Sequence, residues 1–171
     1  MERCVSNSLF TERQEYYSAI FHLNSIYTPE VIVNGETEFV GSDKSKLINS
    51  IDEQLSEKPA ANIALKAIHD TGEKIEVSYS TGENNSQDAN LMLLVVQKMA
   101  TNKINRGENE GRILHHINIV REISYLPVTT KETTKKLSLP QGLKKEDIFI
   151  AGFIQENRSG KVKAIKTASI Q

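Results

Sequence analysis

Cysteine is nearly missing from the 171 residues: there is one, Cys4. A single thiol excludes an internal disulfide and a two-cysteine redox motif within this chain. Only Arg3 stands beside it, and a reactive thiol needs a helix start or a nearby cation to lower its pKa. Cys4 therefore reads as a free thiol. An excess of charge is also missing, since 21 Lys and Arg oppose 22 Asp and Glu for a net charge of −1. Nothing in that balance draws the protein onto nucleic acid or anionic lipid, so neither a nucleic-acid nor a membrane partner is expected. No apolar run approaches the ~20 residues that span a bilayer. The opening MERCVSNSLF lacks the basic start, apolar stretch and small-residue cleavage site of a secretory signal, and as written the chain is expected to stay where it is made. There is no G-x-S-x-G, no G-x-x-x-x-G-K phosphate loop and no glycine fingerprint after a strand. The pairs Asp52-Glu53 and Glu146-Asp147 read as solvated charge clusters rather than acid/base pairs.

The elements that are present change character near residue 60. FTERQEYYSAIFHLN predicts a helix from Thr11 to about Leu23, with Thr11 and Gln14 spaced as a capping box and Tyr17, Ile20 and Phe21 on one buried face. YTPEVIVNGETEFVG predicts a strand opened by Pro29, a turn at Asn34-Gly35 and a second strand containing Thr37, Phe39 and Val40. Gly41-Ser42-Asp43 then starts a helix with Leu47, Ile48, Ile51 and Leu55 along one side. Beyond Pro59 and its small neighbours, the pattern from Ile75 onward is alternating. KIEVSYS, ANLMLLVVQKM, HINIVREISY, TKKLSLP, DIFIAGFIQE and VKAIKTASI read as strands of an antiparallel sandwich, separated by polar turns. The continuous run from Leu91 to Val96 predicts a central strand covered on both faces, whereas Lys161, Lys163 and Lys166 predict a solvated side on the last one. The expected fold class is α+β, with domains at 1–60 and 61–171.

The segment RGENEGRILHHINIVRE, residues 106–121 and the glutamate after them, is the most unusual of the second half. Gly107 and Gly111 allow a tight loop that Arg106 or Arg112 could brace against Glu108 or Glu110, with Asn109 between them. The alternative is an anion or carboxylate site in which a guanidinium fork from Arg106, Arg112 or Arg121 makes bidentate contacts to a ligand. His115 and His116 are adjacent, so on a strand their rings point to opposite faces and do not converge on a metal. One is expected to donate to a backbone carbonyl and the other to be exposed, while Asn118 and Arg121 tie the glycine-rich loop to the sheet. No metal site and no cofactor are expected, because ligand count and spacing both fall short.

Taken together, FTERQEYYSAIF, YTPEVIVNGETEFVGSD and RGENEGRILHHINIVRE resemble the bacterial family catalogued as domain of unknown function 1223, whose members are predicted exported proteins. The resemblance implies a thioredoxin-like first domain followed by a β-rich second one. It also implies that Thr28-Pro29 holds the family's cis-proline position, and that a strand and a Cys-x-x-Cys turn ordinarily precede the F-T-x-R-Q helix. Here that redox portion is absent from the sequence given, so the first domain is expected to be a truncated thioredoxin-like one. Thiol–disulfide exchange passes through a mixed disulfide that a lone cysteine cannot resolve. The chain is accordingly expected to be non-catalytic in this form and to act as a binding or interaction module. The alternative is an incomplete copy of an exported thiol–disulfide oxidoreductase. Without the first strands a sheet edge and apolar helix surface should be exposed, which predicts a homodimer through that edge.

Overall fold

A computed structural model of the chain describes residues 8–69, 73–82, 88–104 and 110–171. Helix α1 (Ser8–Ile20) leads through a turn to the hairpin β1 (Glu30–Val33) and β2 (Thr37–Val40), then to helix α2 (Lys44–Ser56). Seven strands follow: β3 (Ile63–His69), β4 (Lys74–Thr81), β5 (Ala89–Lys103), β6 (Ile113–Pro127), β7 (Thr133–Ser138), β8 (Ile148–Glu156) and β9 (Val162–Ser169). The architecture is α+β, with two helices and three antiparallel sheets ordered β1-β2, β3-β4-β7 and β6-β5-β8-β9.

The two larger sheets pack face to face. Ile75, Val77 and Tyr79 of β4 and Leu137 of β7 meet Leu91, Leu93 and Val95 of β5 and Ile148, Ile150 and Ile154 of β8 in one apolar core. Period-2 alternation produces this: β4 buries every second residue, and the same spacing aims its partners inward. β5 is buried on both faces from Leu91 to Val96, because its other face carries Met92, Leu94 and Val96 beneath Phe10 of α1 and the rings Phe149 and Phe153. The expected central strand is thus central. At one side the sandwich nearly closes, where Ala67 of β3 bridges Ile170 and Gln171 donates to the Ala67 carbonyl at 3.2 Å.

Several boundaries differ from the sequence reading. α1 starts at Ser8, so Thr11 lies inside the helix rather than capping it, and it stops at Ile20, after which His22 adopts φ 52°. β3 is a strand that the small residues around Pro59 concealed. Its residues Ile63, Leu65 and Ala67 face the core in alternation, but Ala, Leu and Lys favour helices and mask that signal. α2 starts as expected, with Asp43 accepting the Lys46 N–H at 2.9 Å. The apolar stripe along it is largely uncovered, however: Ile48, Ile51 and Leu55 are exposed, Leu55 at 78%, and the buried residue of this helix is Ser50. Among the described residues no further layer lies on that side.

The β1–β2 hairpin and the sandwich touch through two turns. Asn34 and Gly35 both have positive φ in the connection between β1 and β2, as does Gly160 in that between β8 and β9. A Cβ on Gly35 would fall 1.8 Å from the Gly160 carbonyl oxygen, so no larger residue fits between the two backbones. Val162 donates to the Asn34 carbonyl at 2.8 Å, and Lys161 Nζ reaches Glu36 Oε1 at 2.6 Å and Glu57 Oε2 at 3.6 Å. The Glu36 hydrogen bond raises the Lys161 pKa.

Candidate functional site

The glycine-rich segment belongs to a hairpin arm. β5 pairs with β8 from Ala89 to Gln97 only, whereas its pairing with β6 continues to Lys103 opposite Ile113. Residues 99–103 and 113–117 therefore project past the sandwich as a two-stranded ribbon. Gln97, buried, marks the departure: its Nε2 donates to the Met99 carbonyl at 2.8 Å and its Oε1 accepts from Arg121 Nε at 2.8 Å and from Arg121 Nη2. Arg121 is the residue skipped where the β5–β6 register shifts, a β-bulge that frees its side chain to reach Gln97. Asn118, φ 52°, marks a second irregularity on the arm side of it.

Placed on this arm, the predicted residues separate. Gly111, φ 82°, donates to the Ile104 carbonyl at 2.8 Å, and the Arg112 carbonyl accepts from Ile104 N–H at 2.9 Å, closing the base of the tip. Arg112, just ahead of β6, and Arg121 within it stand nine residues apart, roughly 30 Å of extended chain at ~3.3 Å per residue, so these two guanidinium groups do not share a ligand. Arg106, Gly107, Glu108 and Asn109 lie outside the described residues, as does Cys4. His115 and His116 pair with Thr101 and Ala100 on opposite faces, and both are exposed. His115 Nδ1 meets Thr101 Oγ1 at 3.2 Å, a side-chain contact in place of the expected backbone carbonyl. The expected tie from Asn118 and Arg121 to the glycine-rich loop is likewise replaced, for Arg121, by Gln97 of β5. Among the described residues no three His, Cys, Asp or Glu side chains gather as metal ligands.

The Thr28–Pro29 peptide bond is cis. Both residues are exposed, immediately ahead of β1, and the Pro29 carbonyl accepts from Gly41 N–H at 2.8 Å. A Cβ on Gly41 would lie 3.1 Å from Pro29 Cβ, so glycine lets the end of β2 close against the proline.

A polar cluster that the sequence reading did not single out joins α1 to β8. Arg13 Nη2 donates to Tyr17 Oη at 2.8 Å and Nη1 to Gln155 Oε1 at 3.1 Å. Gln155 Nε2 in turn donates to Tyr17 Oη at 2.8 Å and to the Gly160 carbonyl at 2.5 Å. Gln155 and Tyr17 are buried, and the Arg13 guanidinium lies over the Tyr17 and Phe153 rings at 4.8 and 5.5 Å from their centroids. Tyr16, which reaches the Glu156 and Asn157 carbonyls, has a pKa raised by burial. The signal was present as the i, i+4 spacing of Arg13 and Tyr17, but nothing in sequence linked either to Gln155 across 138 residues.

These features define a class: a two-sheet antiparallel β-sandwich that carries a helix on its outer face and a helix–hairpin unit at one end. The profile of the family described as "Protein of unknown function (DUF1223)" matches residues 4–155, and the chain belongs to that family. No curated protein matches it. Among solved structures it is similar to a domain of the outer membrane lipoprotein Omp28 from Porphyromonas gingivalis, at 13% identity and a TM-score of 0.47, over 67% of this chain and 91% of that one. A likeness of that degree carries neither fold nor function across. No helix among the described residues is long and apolar enough to cross a membrane.

Proposed function

We propose that this protein is a non-catalytic interaction module whose contact surface is the free edge of β6, and that the partner is a second copy of the chain. The observation that carries this is the arm: a 15-residue edge strand whose residues 113–117, ILHHI, are all exposed and contain no lysine, carboxylate or proline. Edge strands ordinarily defend themselves with such residues. The bulge at Arg121 and the turn at Asn118 guard the inner half of β6 but leave this outer half bare.

A second copy suits the edge on its own terms. Antiparallel pairing of residues 113–117 with themselves about His115 sets Ile113 opposite Ile117 twice, Leu114 opposite His116 twice and His115 opposite its own copy, with no Lys, Arg, Asp or Glu in the paired segment. Ile113 and Ile117 share a face with Met99, and Ile117 is 71% exposed. Cross-strand apolar pairs are the unit by which sheets gain stability. The thioredoxin-like assignment of residues 1–60 and their standing as a separate domain belong to the same proposal. Their support is the family resemblance and the order α1, β1, β2, α2 with Thr28-Pro29 ahead of β1.

Sedimentation velocity on the full chain tests the interface. The wild type should be dimeric at on the order of 100 μM, and Ile117→Lys should weaken the dimer by about tenfold or more. A monomeric wild type, or a variant that sediments like it, overturns the reading.

A further inference from the structure

We propose that the cleft between α1 and the four-stranded sheet is a binding site for a small monocarboxylate, with Arg13 as the group that receives it. The cleft has a volume of about 150 Å³ and is bounded by Glu12, Arg13 and Tyr16 of α1 and by Asn90, Met92 and Tyr125 of the sheet, among others. It lies on the opposite face of the sheet from the sandwich core and is independent of the β6 edge contact proposed above.

The charge of Arg13 leads to this assignment. A part-buried guanidinium is ordinarily met by a carboxylate, yet among the described residues every hydrogen-bond partner of Arg13 is neutral: Gln155 Oε1, Tyr17 Oη and, at 3.5 Å, Met92 Sδ. Its remaining neighbours are aromatic faces, which soften the burial of a cation without cancelling its charge. Of the five N–H groups on a guanidinium, Nε–H and one on Nη2 have no protein partner among the described residues. Arg13 also lines the cleft. Glu12, the acidic residue of the lining, is exposed and makes no ion pair with Arg13 among the described residues.

The rest of the cleft determines which anion. One cation, the neutral amides of Asn90, Gln155 and Asn157, and the Glu12 carboxylate at the mouth suit a single negative charge better than a phosphate. Two of these amides are tied to each other, Asn90 Nδ2 donating to Asn157 Oδ1 at 2.8 Å, so the rim is fixed before a ligand arrives. Met92 and the half-exposed Tyr125 ring provide apolar wall, which an alkyl chain can cover and a bare inorganic ion cannot. The volume holds a few heavy atoms, so a monocarboxylate of three or four carbons in all is the class that fits.

The test is a titration of the full-length protein with sodium propionate, followed by ¹H–¹⁵N chemical shifts of the Asn90 and Asn157 side-chain amides. Sodium chloride and inorganic phosphate at equal ionic strength are the controls. Saturable shifts with propionate at on the order of 10 mM, and none with chloride or phosphate, are expected. Asn90→Asp sets a carboxylate at the rim without touching the Arg13–Gln155–Tyr17 cluster, and should weaken propionate binding by about tenfold or more while the thermal midpoint stays near that of the wild type. Arg13→Lys keeps the charge but loses the fork, and should weaken binding as well. Absence of saturation, saturation by phosphate in place of propionate, or unchanged affinity in folded Asn90→Asp overturns the assignment.

Discussion

The two ends of β5 have similar side chains and opposite fates. Met92 is 1% exposed and Met99, seven residues on, is 64% exposed. At Met92 the strand has β8 on one side and β6 on the other, with α1 above and the second sheet below; at Met99 it has β6 alone. Apolar burial depends on area removed from water, and a strand of uniform character gains it only where layers cover it. The difference teaches that the arm is outside the fold's own stabilisation and is free to serve a contact.

The comparison breaks first at the core. Leu93→Ala, at a fully buried position of β5, should cost ~2–5 kcal/mol of stability in urea unfolding, while Met99→Ala, measured at a dilution where the chain is monomeric, should leave the midpoint unchanged within ~0.5 kcal/mol. Equal effects would mean that the arm is packed in solution against something the single chain lacks. Next come the glutamines. Gln155→Ala removes the acceptor of Arg13 and the donor to Tyr17 and Gly160, and should cost ~1–3 kcal/mol with a loss of helical circular dichroism as α1 loosens. Retention of α1 with no loss of stability would show that Phe10 and its apolar contacts suffice.

The smallest effect is in the β8–β9 turn. Glu156 accepts from Ser159 Oγ at 2.7 Å and from Lys163 at 2.9 Å, and these contacts, Ser159 foremost, lower its pKa from the usual 4.5. A carboxyl lowered on folding adds stability above its unfolded pKa and loses it as pH falls through the folded one. Ser159→Ala should therefore lower stability slightly at neutral pH and lose less than the wild type as pH falls below the carboxyl's usual 4.5. Parallel acid profiles would remove Ser159 from the linkage.

Legibility followed the range of the forces involved. The buried run from Leu91 to Val96, the alternation of β4, the Asn34-Gly35 turn and the Asp43 start of α2 are local patterns, and all stood in the sequence. β3 did not, because Ala64, Leu65 and Lys66 are helix formers whose pairing with β4 outweighs their propensity. The stripe on α2 was legible as a pattern, but whether anything covers it was not. In the candidate sites, the opposed directions of His115 and His116 followed from strand geometry alone. The separation of Arg112 from Arg121, and the use of Arg121 by Gln97, depended on where the ribbon leaves the sheet.

By itself the sequence determined that one copy of this chain has no pair of thiols, no excess charge and a change from helical to alternating periodicity near residue 60, since these depend on composition and near neighbours. Only the tertiary structure decided that Arg13 and Tyr17 meet Gln155, that Gly35 faces Gly160, and that β5 outruns β8 to leave an arm. Each of those depends on which distant strands become neighbours, and a residue's own identity does not fix the length of its partner.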